Sequence, residues 1–169
     1  MNVSNLDNPK HQTLEAAVGW RKRLQSAGKT VVMTNGCFDL LHTGHLFFLN
    51  QAAGLGDALI VALNGDASVR ALKGPTRPVQ TQHERAYLLG SLACVDAVLT
   101  FDTPRLTREI AAIAPDIYVK AGDYTRASLN TEERAALESG GADIQFLPFL
   151  TGYSTTALIR KIAAAAKTF

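Results

Sequence analysis

Short, unbroken apolar runs rich in β-branched residues recur along this chain, and each is followed by a segment with helical spacing. That alternation restricts the possible folds more than any other feature. Thr30-Val31-Val32-Met33-Thr34 and Ala58-Leu59-Ile60-Val61-Ala62-Leu63 carry no polar alternation, as expected of strands covered on both faces. Ala97–Phe101, Asp116–Lys120 and Asp143–Leu147 bring the expected strands to five. A leading helix over residues 10–27 holds Leu14, Ala17, Val18 and Leu24 on one side and stops at Gly28. Further helices are predicted over Gly44–Ala53, Ala67–Leu72, Thr81–Leu92, Pro104–Ala114, Thr131–Ser139 and Thr155–Lys167. Pro104 suits a first helical position, and Gly140-Gly141 stops the helix over Thr131–Ser139.

Strands alternating with helices of this length imply βαβ units, hence a mainly parallel sheet with helices on both faces. The expectation is one doubly wound, Rossmann-like α/β domain, since 169 residues match the roughly 100–200 of a single domain. Residues 1–28 are expected to be an N-terminal helix packed on a domain spanning 29–169. Seventeen basic and fifteen acidic side chains leave a net charge of only +2, scattered along the chain, so a broad nucleic-acid surface is not expected. Cys37 and Cys94 lie far apart without metal-site spacing, which suits a reduced, cytoplasmic protein. The start of the chain lacks signal-peptide character, and no apolar run reaches the ~18 residues of a membrane span.

An open parallel sheet binds ligands beyond the carboxyl ends of its strands, where the strand order reverses. Those ends are Asn35–His45, Asn64-Gly65-Asp66 and Lys120–Tyr124, among the most polar segments of the chain. In the first, His42 and His45 fall three apart at a helix start and so share a face, while Gly44 between them allows close backbone approach. A helix N-terminus also offers unpaired N–H groups and a positive dipole end, which makes phosphate the natural ligand. A zinc pair or plain helix capping are the alternatives. Zinc would want more ligands, yet His11 and His83 are predicted within helices and no cysteine cluster exists.

His42-Thr43-Gly44-His45 resembles the signature of the nucleotidyltransferase superfamily that carries a His-x-Gly-His motif. Gly152-Tyr153-Ser154-Thr155-Thr156 ahead of the last helix resembles its second hallmark. Ser154 can cap that helix while Thr155 and Thr156 offer hydroxyls and N–H groups to phosphate. Leu72–Val79, Glu84-Arg85-Ala86 and Pro115–Tyr124 are similar to the branch of heptose 1-phosphate adenylyltransferases, stand-alone or fused to a kinase, over about residues 14–165. Relatives usually carry Lys-Gly-Gly-Asp where this chain has Lys120-Ala121-Gly122-Asp123, and Arg126–Glu138 lacks their valine-glycine pattern. The methyl of Ala121 is expected to narrow the pocket or shift its loop.

The resemblance implies strand order 3-2-1-4-5 and transfer of AMP from ATP to D-glycero-β-D-manno-heptose 1-phosphate, giving ADP-heptose for lipopolysaccharide, with Mg²⁺ carried mainly by the triphosphate. A possible homodimer goes with it. His42, His45 and Lys73 are the expected catalytic residues. Asn35, Gly36, Cys37, Phe38, Gly44, Lys120, Gly122, Asp123, Ser154, Thr155 and Thr156 are expected to hold the nucleotide, with the Cys37 thiol packing instead of reacting. Asp39, Arg77 and Arg85 are expected to contact the acceptor. Competing readings are a CTP-dependent enzyme for glycerol 3-phosphate or phosphoethanolamine, and a nucleotide-sensing module without catalysis.

Overall fold

The computed structural model describes residues 6–122 and 124–166. In chain order the elements are β1 (His11–Gln12), α1 (Leu14–Ser26), β2 (Val31–Gly36), α2 (Thr43–Ala53), β3 (Ala58–Asn64), α3 (Asp66–Lys73) and α4 (Gln82–Gly90). They continue with β4 (Ala97–Phe101), α5 (Thr107–Ile113), β5 (Ile117–Ala121), α6 (Thr131–Ser139), β6 (Asp143–Leu147) and α7 (Thr155–Ala166). All strand pairs are parallel, in the order β1-β4-β3-β2-β5-β6. The sheet therefore has six strands, not the expected five. Taken alone, the five expected strands stand in the expected succession, and the sixth is added outside β4. Among the described residues no helix is long and apolar enough to cross a membrane.

The extra strand has a physical cause that composition conceals. Residues 10–12 are polar, but the edge of β4 captures them: Val98 N–H donates to the Lys10 carbonyl, and Lys10 Nζ donates to the carbonyls of Leu92 and Val95. His11 Nε2 also bonds Thr100 Oγ1 at 2.8 Å. His11 thus lies in a strand, where a helix was expected, and α1 starts at Leu14 with Thr13 as its cap. The segment before residue 28 is more than a docked helix, since it supplies both α1 and a sheet edge. Helix α5 likewise starts three residues after Pro104, and the Glu133 carboxylate accepts the Leu106 N–H just ahead of its first turn.

The two faces of the sheet are covered as the unbroken apolar runs require. In β3, Leu59, Val61 and Leu63 pack with Phe48, Leu49, Ala52, Ala86 and Leu89 of α2 and α4. Its alternate residues Ile60 and Ala62 pack with Ala17, Leu106, Ile110, Ile113 and Leu137 on the α1, α5 and α6 side. Each such large side chain contributes about 1.5–3 kcal/mol when fully buried. At the amino edge, Asp57, Asp96 and Asp116 accept the N–H groups of Thr30, Leu59 and Val31. That edge is closed by its own carboxylates, which leaves the carboxyl edge for a ligand.

Gly122, just past β5, has φ +86°, and a Cβ there would lie 1.8 Å from the Phe149 ring of the loop after β6. Glycine is required for the backbone and for the close crossing of that loop. Gly122→Ala is expected to lower the unfolding free energy by about 1–2 kcal/mol, the cost of a left-handed non-glycine residue. Urea denaturation checks this, and unchanged stability would contradict the strained-turn account.

Candidate active site

The loop from β2 to α2 is shaped by two close approaches. Phe38 adopts φ +44° and is buried, and its ring lies so near Gly36 that a Cβ there would fall 2.9 Å from it. His42 then caps α2, its Nδ1 accepting the N–H of His45 at 3.3 Å. With Nδ1 an acceptor, the neutral imidazole carries its proton on Nε2, which is free to donate. The rings of His42 and His45 stack at 3.7 Å, and Phe38 tilts against His45. Burial, then the neighbouring His42, push the His45 pKa down to about 4 against a smaller opposing effect of the Leu40 backbone; burial lowers His42 as well. Near pH 7 both histidines are neutral, and His42 offers its Nε2–H as a donor.

Gly44 brings a second element to this point. A Cβ on Gly44 would lie 3.0 Å from the Cβ of Tyr153, so the chain entering α7 runs against the first turn of α2. Ser154 Oγ accepts the Ala157 N–H and caps α7 as expected. Thr155 and Thr156 follow in the first turn. Two helix N-termini thus converge, and with them two sets of unpaired N–H groups.

Two of the residues expected to contact the acceptor do something else. Asp39 is buried and accepts the N–H groups of Val79 and Gln80, and it forms an ion pair with Arg77. Its carboxylate is spent holding the 74–80 loop against the β2–α2 loop. Arg85 is fully buried. Its Nε donates to the Gln80 carbonyl, Nη1 to the carbonyls of Cys37 and Asn64, and Nη2 to Asp66 at 2.7 Å. No face of this guanidinium is left for a substrate, and its placement corrects the expected role. Asp66, its partner, went unassigned in the sequence although it ends the polar Asn64-Gly65-Asp66 segment. Arg77 keeps partial exposure beside Asp39. Lys73, at the end of α3, is exposed and has no ion-pair partner among the described residues.

The Cys37 thiol shows how positive this corner is. Burial raises its pKa most, Lys73 and Arg85 act to lower it, Asp39 raises it and Arg77 lowers it. On the far side of the loop, Lys120 directs Nζ to Asn35 Oδ1 and lies over the rings of Tyr124 and Tyr118 at 5.1 and 5.9 Å. Burial pulls its pKa down, Glu133 partly restores it, and no carboxylate pairs with it among the described residues. Asp123 lies outside the described residues. Ala121 keeps ordinary strand backbone within β5, and its methyl packs with the apolar cluster that includes Val119 and Phe38.

The family model described as cytidylyltransferase-like matches residues 33–161, which include every site residue named above. The chain is 47% identical over 135 residues to the bifunctional protein HldE of Syntrophotalea carbinolica, covering 80% of this chain and 27% of that protein. It is 43% identical over 148 residues to the bifunctional protein HldE of Hyphomonas neptunium, covering 88% of this chain and 30% of that one. The chain thus spans less than a third of the length of these relatives. A crystal structure of the lipopolysaccharide core biosynthesis protein from Thermoplasma volcanium GSS1 superposes with a TM-score of 0.60 at 25% identity, covering 75% of this chain and all of that one.

The buried guanidinium makes the two roles considered for Arg85 separable. Arg85→Met would strand the Asp66 carboxylate and three carbonyls, and breaking such a buried pair costs about 3–5 kcal/mol. A loss of that size in urea denaturation is expected. Wild-type stability with only a raised KM for the acceptor would restore the substrate-contact reading.

Proposed function

Because this chain belongs to the cytidylyltransferase-like family, we propose that it transfers AMP from ATP to a sugar 1-phosphate, D-glycero-β-D-manno-heptose 1-phosphate, releasing pyrophosphate and ADP-heptose. The observation that carries the reading is the junction of α2 and α7 at Gly44 and Tyr153, where two helix N-termini and a neutral histidine pair face one point. Choice of the heptose branch rests on the resemblance of the Lys73–Val79 and Lys120–Tyr124 segments. Its support is the similarity to the HldE proteins and to a lipopolysaccharide core biosynthesis protein.

In this reading an oxygen of the acceptor phosphate attacks the α-phosphorus of ATP, and the bond from that phosphorus to the α–β bridging oxygen breaks. Pyrophosphate leaves with the bonding electron pair. Negative charge shifts toward the leaving oxygens, so fixed donors there lower the barrier most. In this reading His42 Nε2–H does that work, with His45 stacked beside it. Their neutrality is useful, since a donor that need not change ionisation reorganises little. Lys73 edges the site as a mobile positive charge for phosphate, with Arg77 beside it on Asp39, while Lys120 stands opposite with no ion-pair partner among the described residues. Thr155, Thr156 and the α7 N-terminus receive the remaining phosphate oxygens.

Mg²⁺ would screen the triphosphate and assist departure of pyrophosphate. Among the described residues no three ligating side chains converge, and the Asp39 carboxylate is already filled by backbone N–H groups and Arg77. The donor set therefore suits an ion carried on phosphate oxygens. ATP chemistry and two free cysteines go with a cytoplasmic setting.

Pyrophosphate release should be measured with ATP and with CTP, each against heptose 1-phosphate and glycerol 3-phosphate. Turnover is expected with ATP and the heptose. His42→Ala and His45→Ala are each expected to cut kcat by about 10²–10³-fold, as loss of other positioned donors does, with the KM for ATP changed far less. Turnover with CTP and glycerol 3-phosphate alone would overturn both the base and the acceptor.

A further inference from the structure

Tyr118 is an aromatic side chain at the site that the reaction as described does not use. It stands in β5 with no exposed surface, on the face covered by α1, α5 and α6, among Met33, Ile110 and Leu137. Phenylalanine would fill such a position at no polar cost, whereas a phenol there must find a hydrogen-bond partner. The partner is specific: the hydroxyl donates to Asn35 Oδ1 at 2.7 Å. Burial first, then Glu133 and Tyr124, disfavour its ionisation strongly, so the group is a permanent donor.

Asn35 is the hub of this arrangement. Its Oδ1 also accepts from Lys120 Nζ, and an ammonium can only donate. The amide therefore presents its oxygen to Tyr118 and Lys120, which leaves its NH2 for another partner. Among the described residues that NH2 has no protein partner. β2 and β5 run side by side with Met33 opposite Tyr118 and Thr34 opposite Val119, so Asn35 and Lys120 come next in register and share the face of Tyr118.

We propose that Tyr118 is a positioning residue: by holding Asn35 Oδ1 from below it fixes the Asn35 NH2 and the Lys120 ammonium as a paired donor set for a phosphate oxygen of the bound nucleotide. A lysine on a four-carbon stem is otherwise a loosely placed charge, and fixing it beforehand removes reorganisation from binding and from the transition state. The inference rests on the nucleotidyltransferase reading and deepens it.

The test is a double-mutant cycle with Tyr118→Phe and Asn35→Ala. Tyr118→Phe keeps the buried ring, so the fold is expected to survive with circular dichroism unchanged. Its kcat/KM for ATP is expected to fall about tenfold, in the range of a coupled hydrogen bond, while KM for the acceptor stays near wild type. In the Asn35→Ala background the same change is expected to add nothing. Penalties that simply add, or a Tyr118→Phe enzyme with wild-type kinetics, would overturn the proposal. A second readout needs no turnover. The Asn35 side-chain amide should give a distinct pair of NMR resonances in the free wild-type protein that shift and broaden in Tyr118→Phe. Unchanged resonances would overturn the proposal whatever the reaction proves to be. If wild type transfers no nucleotide while the resonances respond, the functional reading fails; the cycle is then read on ATP affinity, where loss of coupling overturns the inference and retained coupling supports it.

Discussion

The carboxyl edge of this sheet is held together by one buried cation. Arg85 reaches from α4 to the carbonyl that opens the β2–α2 loop, to the last carbonyl of β3, to the loop ahead of α4 and to the carboxylate that begins α3. Backbone carbonyls at strand ends have no further strand to bond, and burying them unpaired costs free energy. A single guanidinium satisfies two of them, on Cys37 and Asn64, together with the Gln80 carbonyl, and Asp66 balances its charge. The start of the β2–α2 loop, the end of β3 with the start of α3, and the loop ahead of α4 are thereby fixed to one another at this edge. The histidine pair inherits its position from that frame, because Cys37 lies five residues before the cap of α2.

Asp39 extends the same logic outward. By accepting two backbone N–H groups and Arg77, it keeps the loop after α3 against the loop before α2. Among the described residues the carboxylates of Asp39 and Asp66 are thus consumed in holding loops, while Lys73 and Lys120 have no ion-pair partner. Such an edge is suited to a polyanion. The neutral His42 adds a donor without adding repulsion among these charges.

Much of this was legible before any coordinates. Unbroken apolar runs marked β2 and β3 because a strand buried on both faces has few polar positions to interrupt it, whereas β5 and β6, which carry Lys120, Asp143 and Gln145, followed from the alternation of strands and helices. The caps His42 and Ser154 and the close approach at Gly44 were legible because a helix start needs a side-chain acceptor for its free N–H groups and a small residue where another segment crosses it. The strand at His11–Gln12 was not, since it exists through the vacancy at the edge of β4 and the reach of Lys10, not through its own propensity. Arg85, Asp39 and Tyr118 show the same limit. A charged residue beside a motif looks like a ligand contact until tertiary packing shows that its partners are carbonyls, and nothing local in Ile117-Tyr118-Val119 reveals that the hydroxyl meets Asn35.

The central claim is that a nucleotide triphosphate sits where α2 and α7 converge. A crystal structure with a non-hydrolysable ATP analogue tests it most directly. The account expects the phosphate chain between the first turns of these helices, within hydrogen-bond reach of His42 Nε2 and of the Asn35–Lys120 pair. A cleft of about 750 Å³ opens at the outer end of the sheet, away from that junction, lined by His11, Thr100, Asp102 and Arg108. Phosphates found there, with the α2–α7 junction left empty, would contradict the account.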